Sequence, residues 1–162
     1  MKRALCLIFA FLVLSTIAFA ESYPPATSAP DKEYDYDDYF NLILHEDDFL
    51  PDNICQTIWA ITENSIGEED SVKEVSLVDG ALSIKVDLSN ALPEPFTEGM
   101  YAQDRASSIM DSIFSYPELD AVWASVHLVF PHAEAVFTPD MAQGSGTMRY
   151  IDAMDIIAQI PD

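Results

Sequence analysis

The residue pair Asp79-Gly80 constrains the fold of this chain more than any other feature. Asp-Gly flanked by alternating apolar residues marks a two-residue hairpin loop, because both central residues of such a turn need positive φ, which Asp and Gly tolerate. Pairing outward from the turn sets Leu77 against Leu82 and Val75 against Ile84 on one face. Ser76 then meets Ser83, and Glu74 meets Lys85, on the other. One face is apolar and the other carries an opposite-charge pair, which is the pattern of a hairpin buried on one side. A hairpin of two strands is marginal alone, so the flanking chain must cover its apolar face.

Upstream, Asp52 is placed to cap a helix that carries Ile54, Ile58 and Ile61 on one face and is closed by Gly67. Downstream, after the loop of residues 92–97, Thr97 is placed to cap a second helix. Its Ala102, Ala106, Ile109, Met110, Ile113 and Phe114 form one stripe; Gly99 weakens its first turn and Tyr116-Pro117 ends it. Residues 121–130 alternate, with Val122, Ala124, Val126, Leu128 and Phe130 against Trp123, Ser125, His127 and Val129. Both sets are fairly apolar, so a central strand covered on both faces is expected. Pro131 turns the chain and residues 135–138 return as a short strand. The end is ambiguous between helix and strand: after Gly144-Ser145-Gly146, residues 147–154 can be helical, whereas Ile156, Ala158 and Ile160 alternate like a last strand. The expected fold is a single α+β domain over residues 51–162, with an antiparallel or mixed sheet of about four to five strands and two to three helices packed on it.

The N-terminus has the three parts of an export signal. Lys2 and Arg3 precede an apolar run from Leu5 to Leu14, and Ala18-Phe19-Ala20 supplies the small residues of a cleavage site before Glu21. The uncharged run from Ala4 to Ala20 is shorter than the roughly 20 residues that span a bilayer. Residues 1–20 are therefore expected to be a signal peptide, and the remaining chain a soluble, secreted, extracellular protein. The formal net charge is −21, and loss of Lys2 and Arg3 with the signal deepens it by two. Such a surface repels nucleic acid and anionic lipid, whose binding needs cationic side chains. Cys6 leaves with the signal, so Cys55 stays without an intramolecular partner and an ordinary core must hold the fold, as suits a bacterial product or an oxygen-poor habitat. Cys55 lies in the helical pattern Ile54-Cys55-Ile58 and reads as a small buried hydrophobe.

Residues 21–50 read as a flexible acidic and aromatic arm. Residues 21–35 are rich in proline without apolar periodicity, which is the composition of a spacer. Tyr34, Tyr36, Tyr39 and Phe40 then interleave with Asp35, Asp37 and Asp38, and residues 41–50 suit a helical turn that docks the arm on the body. Aromatics beside carboxylates make anchors for a basic partner surface, the rings giving area and the charges steering. The competing expectation is a tether that only repels.

The segment EVSLVDGALSIKVDLS (residues 74–89), followed by a helix and a strand at Val122 to Val129, resembles the GerM-type domain of sporulation and germination lipoproteins over roughly residues 52–130. That domain has a V-x-x-G hairpin ending in V-D-L-S, then a helix and a strand. The chain departs from it in having no lipid-anchor cysteine. The resemblance implies an envelope-associated, non-catalytic module and assigns no functional residue.

Candidate chemistry is thin elsewhere. Asp35, Asp37 and Glu46 fall at positions 1, 3 and 12 of a calcium-loop frame, but Phe40 stands where the sharp turn demands Gly. Glu46-Asp47-Asp48 and Glu68-Glu69-Asp70 read as solvated acidic loops. His45-Glu46 begins like a zinc-protease helix, yet position 49 is Phe rather than His. No metal, cofactor or nucleotide-binding signature is expected. His127 and His132 are the residues a secreted hydrolase would use, should either meet a nucleophile in a pocket. The expected function is partner binding at or outside the cell envelope, the partner being a protein or envelope component of basic character. The alternatives are that hydrolase, and an inhibitor or immunity-type protein that masks a basic partner.

Overall fold

The computed structural model describes residues 23–39, 41–88 and 94–162. The expected signal, Phe40 and the loop at 89–93 lie outside the described residues. The fold is α+β: a mixed four-stranded sheet, two small hairpins, and three helices that pack against the sheet. The small hairpin of the arm comprises β1 (Asp35–Tyr36) and β2 (Leu42–Ile43). Helix α1 (Ile54–Ser65) leads to β3 (Ser71–Val78) and β4 (Ala81–Asp87). Helix α2 (Glu98–Phe114) then crosses to β5 (Ser125–Val129), and β6 (Glu134–Phe137) turns back. A second small hairpin, β7 (Ala142–Ser145) and β8 (Met148–Ile151), precedes helix α3 (Ala153–Gln159).

The turn predicted at Asp79-Gly80 is present, with φ of 50° and 77° at the two residues. All four predicted pairs occur: Leu77 with Leu82, Val75 with Ile84, Ser76 with Ser83 and Glu74 with Lys85. The register shifts between Val72 and Glu74. This bulge at Lys73 lets Val72 share the core face with Val75 and Leu77 although their spacing breaks strict alternation. The turn has a second use. The carbonyl of Gly80 accepts from Ala124 N at 2.7 Å and Ser125 N at 3.2 Å, which starts the parallel pairing of Ala81 with Ser125. Sheet order is β3-β4-β5-β6, with β4 and β5 parallel and the outer pairs antiparallel. Parallel neighbours need a crossover of a dozen or more residues, and α2 supplies it.

The core lies between one sheet face and the helices. Leu77, Leu82, Ile84, Val126, Leu128 and Phe137 meet the predicted stripe of α2, whose six apolar members are all buried. Thr97 caps α2 as predicted, its hydroxyl accepting from Met100 N. Two expectations are corrected and one open question is resolved. β5 is central, but it is covered on one face only, because His127, between Ser83 and Val136, points to solvent. The cap position of α1 is Asn53 rather than Asp52, and no side chain caps it; the Leu50 carbonyl takes the amides of Asn53 and Ile54. At the C-terminus, which the sequence left open, the strand comes first and the helix second. Gly146, with φ of 61°, and Thr147 form the β7-β8 turn, while Gly144, with φ of 83°, stands within β7 opposite Arg149; Asp152 caps α3 through Met154 N at 2.8 Å. In α3, Ile156 and Ile160 share the buried face one turn apart while Ile157 is exposed.

A buried ionic network ties the loop after α1 to α2. The Asp70 side chain is excluded from solvent and accepts from Arg105 Nε at 2.7 Å, Tyr101 Oη at 3.0 Å and Gly67 N at 3.2 Å. Arg105 also donates to the Tyr101 hydroxyl at 2.8 Å and lies over its ring. Burial pushes the Tyr101 phenol up. Of the clutch Glu68-Glu69-Asp70, Asp70 is therefore a packed ion-pair partner rather than a solvated loop acid. A Cβ on Gly67 would stand 2.9 Å from an Arg105 nitrogen, so a side chain there would push the guanidinium aside.

Candidate functional site

The arm does not stand off the body as its composition suggests. Ala26 is fully buried and exchanges two backbone hydrogen bonds with Val75, at 2.9 and 2.8 Å, on the free edge of β3. Tyr23 and Tyr34 pack against the core. Farther along, Lys32 Nζ meets the buried Asp48 carboxylate at 2.5 Å, and the His45 amide donates to the same group at 2.9 Å. Burial opposes charge on Asp48, but these two donors win and hold its carboxyl below the usual range. The Lys32 ammonium is correspondingly held up by the Asp48 hydrogen bond. Thr57 of α1 donates to the Asp48 carbonyl at 2.7 Å, and Tyr116 donates to the Leu42 carbonyl at 3.1 Å. The predicted helical turn is a 3-10 turn at Glu46–Phe49.

These anchors hold up a small acidic and aromatic hairpin. Asp35 pairs with Ile43 and Tyr36 with Leu42. Asp37 closes the connection: its carboxylate accepts from Tyr39 N at 2.8 Å, Asn41 N at 2.9 Å and Asn41 Nδ2 at 3.0 Å. The Asn41 side chain, with the two backbone amides, holds the Asp37 carboxyl below the usual carboxylate range, so its charge persists into mild acid. Its oxygens are thereby committed to the loop, where the calcium-loop frame would have required them for a cation. Among the described residues no group of three His, Cys, Asp or Glu is placed to hold a metal ion.

The structure divides the predicted anchor residues. Tyr34 faces the core, with Lys32 Nζ 4.8 Å from its ring centre. Tyr36 and Tyr39 face solvent, 53% and 84% exposed, with Ile43 of β2 beside Tyr36 in sequence register one step away. Phe40 falls outside the described residues. The surrounding Asp35, Asp37 and Asp38 are exposed. A groove of about 490 Å³ runs between the arm and α1, with Pro30, Tyr34 and Tyr36 on one side and Ala60 and Glu63 on the other. Composition could not have found this groove, because its second wall belongs to α1.

The two histidines separate. His127 stands exposed on the outer sheet face. His132 lies on the rim of a cleft of about 540 Å³ between the start of α2 and the β5-β6 turn. Its Nε2 is 3.9 Å from Glu98 Oε2, both side chains largely in water. The hydroxyl lining this cleft from Thr97 donates to Asp162 and accepts from Met100 N, so it is not hydrogen-bonded to the imidazole. Nothing described joins either histidine to a nucleophile. Cys55 is buried in α1 with no disulfide partner among the described residues, and burial pushes its thiol up to about 11, which is the opposite of an activated nucleophile.

Charge balance completes the picture. Every Lys and Arg among the described residues lies in an ion pair: Lys32 with Asp48, Lys73 with Asp87, Lys85 with Glu74, Arg105 with Asp70 and Asp104, and Arg149 with Asp120. Five cations thus stand against many more carboxylates, and most of the acidic side chains among the described residues are exposed. Among the described residues no helix is long and apolar enough to cross a membrane. No protein-family model, curated protein or solved structure matches the chain.

Proposed function

We propose that this is an exported, non-catalytic binding protein that captures a basic partner surface at or outside the cell envelope through the hairpin of residues 35–43. The observation that carries this reading is the exposure of Tyr36 and Tyr39 among carboxylates on a hairpin fixed to the body at Ala26, Lys32 and Tyr116. Tyrosines on a fixed support bind with little loss of side-chain freedom, and the acidic surround steers a cationic partner. The GerM-type resemblance belongs to the same proposal, since an envelope-associated module without catalysis needs a display surface of this kind. An inhibitor that masks a basic partner would use the identical hairpin. The export signal at residues 1–20 supports the extracellular setting.

The test is binding of a lysine-rich synthetic peptide, followed by amide chemical shifts. Shifts should concentrate in residues 35–43, weaken from 0.1 M to 1 M salt as the Debye length falls from about 10 to about 3 Å, and vanish in the Tyr36→Ser/Tyr39→Ser variant. Shifts elsewhere, or indifference to salt and to the tyrosines, would remove the hairpin from recognition.

A further inference from the structure

The groove between the arm and α1 deepens the proposed reading and rests on it, since it adjoins the same hairpin. Its walls mix aromatic and apolar surface, from Tyr34, Tyr36 and Pro30 on the arm and the nearly buried Ala60 on α1, with the polar side chains of Lys32, Glu33, Glu63 and Asn64. Glu33 and Glu63, both exposed, stand one on each wall. The cation that lines this groove, Lys32, is already spent on Asp48 at 2.5 Å and lies over Tyr34. The local field is therefore that of the two glutamates and the neighbouring Asp35. A flat cation suits such a slot better than a compact one. A guanidinium stacks on a tyrosine ring while its edge forks onto a carboxylate, and its apolar stem lies along the wall.

We infer that the groove is a socket for an arginine side chain presented by the basic partner that the hairpin captures. The ring of Tyr36 is shared between the two surfaces, because it is half exposed on the hairpin and also lines the groove. Tyr39 and Glu63 are not shared, which makes the two parts separable.

The experiment compares three octapeptides of alternating serine with arginine, lysine or citrulline, the last keeping the shape of arginine without its charge. Binding is read by calorimetry and by amide shifts of the full protein. The arginine peptide should bind at least tenfold more tightly than the citrulline peptide, bind more tightly than the lysine peptide, and shift the amides of Ala60 and Glu63. Glu63→Gln should reduce arginine-peptide binding several-fold and leave lysine-peptide binding little changed, while its circular dichroism and melting stay those of the parent. Equal affinity for arginine and lysine peptides, or no shift at Ala60 and Glu63, overturns the socket. Loss of all peptide binding in Tyr39→Ser with no effect of Glu63→Gln leaves the hairpin reading standing and the socket refuted. Binding unaffected by either variant refutes both.

Discussion

Removing the Arg105 side chain charge should be the most costly single change available outside the apolar core. The Asp70 carboxylate is excluded from water and Arg105 is the cation that compensates it, at 2.7 Å, with only 18% of its own side chain exposed. Breaking one partner from a buried pair typically costs 3–5 kcal/mol, because the remaining charge stays desolvated. In Arg105→Met the donors Tyr101 and Gly67 still face Asp70, so the loss falls near the lower end, about 3 kcal/mol. For a chain of this length that corresponds to a fall in Tm of about 10 °C. Asp70→Asn in the Arg105→Met background removes the orphaned charge and should recover part of the loss, a non-additivity that a double-mutant cycle in urea measures directly. A loss below about 1 kcal/mol for Arg105→Met, or a double variant less stable than Arg105→Met alone, would refute the reasoning.

Three further outcomes follow from the same geometry. Lys85 Nζ meets Glu74 Oε2 at 2.6 Å on a half-exposed sheet face, so reversing both charges should be milder than the sum of the single reversals by roughly 0.2–1 kcal/mol in a chemical-denaturation cycle. Ala26→Pro removes the N–H that reaches the Val75 carbonyl and should cost about 1–3 kcal/mol, read as a lower urea midpoint. Cys55 has a thiol raised from 9.0 to about 11 in the folded chain. Above pH 9 the unfolded chain releases this proton while the native one keeps it, so stability should fall with pH up to about 11, and Cys55→Ala should flatten that fall. Denaturation midpoints between pH 8.5 and 10.5 check it.

The features legible in the sequence are those whose partners lie close along the chain. The hairpin at Asp79-Gly80 could be read pair by pair because its turn fixes the register, and the stripe of α2 because its period lies within one element. Where partners come from afar the sequence misleads. Asp70 looks like one of three loop acids until Tyr101 and Arg105, a turn apart on α2, close over it. Tyr34 and Tyr36 read alike, and only the docking of the arm turns one to the core and the other to solvent. Ala26 carries no signal at all, since a single alanine among prolines gives no period and its partner, Val75, belongs to the hairpin. The C-terminal ambiguity has a local cause. Ile156, Ala158 and Ile160 satisfy a period of two as well as Ile156 and Ile160 satisfy one helical turn, and the decisive residue is the cap, Asp152.

Gly99 was expected to do no more than loosen the first turn of α2, yet it sets the distance of closest approach between two ends of the domain. A Cβ there would stand 2.7 Å from the Pro161 carbonyl oxygen and 2.8 Å from the Asp162 Cα, so the last residues lie directly on the helix backbone. Gln103, one turn farther along α2, donates to the Ile160 carbonyl at 2.7 Å, and Gln159 accepts from the Val136 amide on the free edge of β6 at 2.6 Å. The helix, residues 159–162 and the sheet edge thus form one joint, in which the segment that follows β8 closes the flank that β6 would otherwise leave open to pairing with another molecule. Until residues 153–162 emerge and settle against Gly99, the nascent domain carries an adhesive edge; an alanine at position 99 would prolong that interval, trading a small gain in helix propensity for a longer exposure to aggregation.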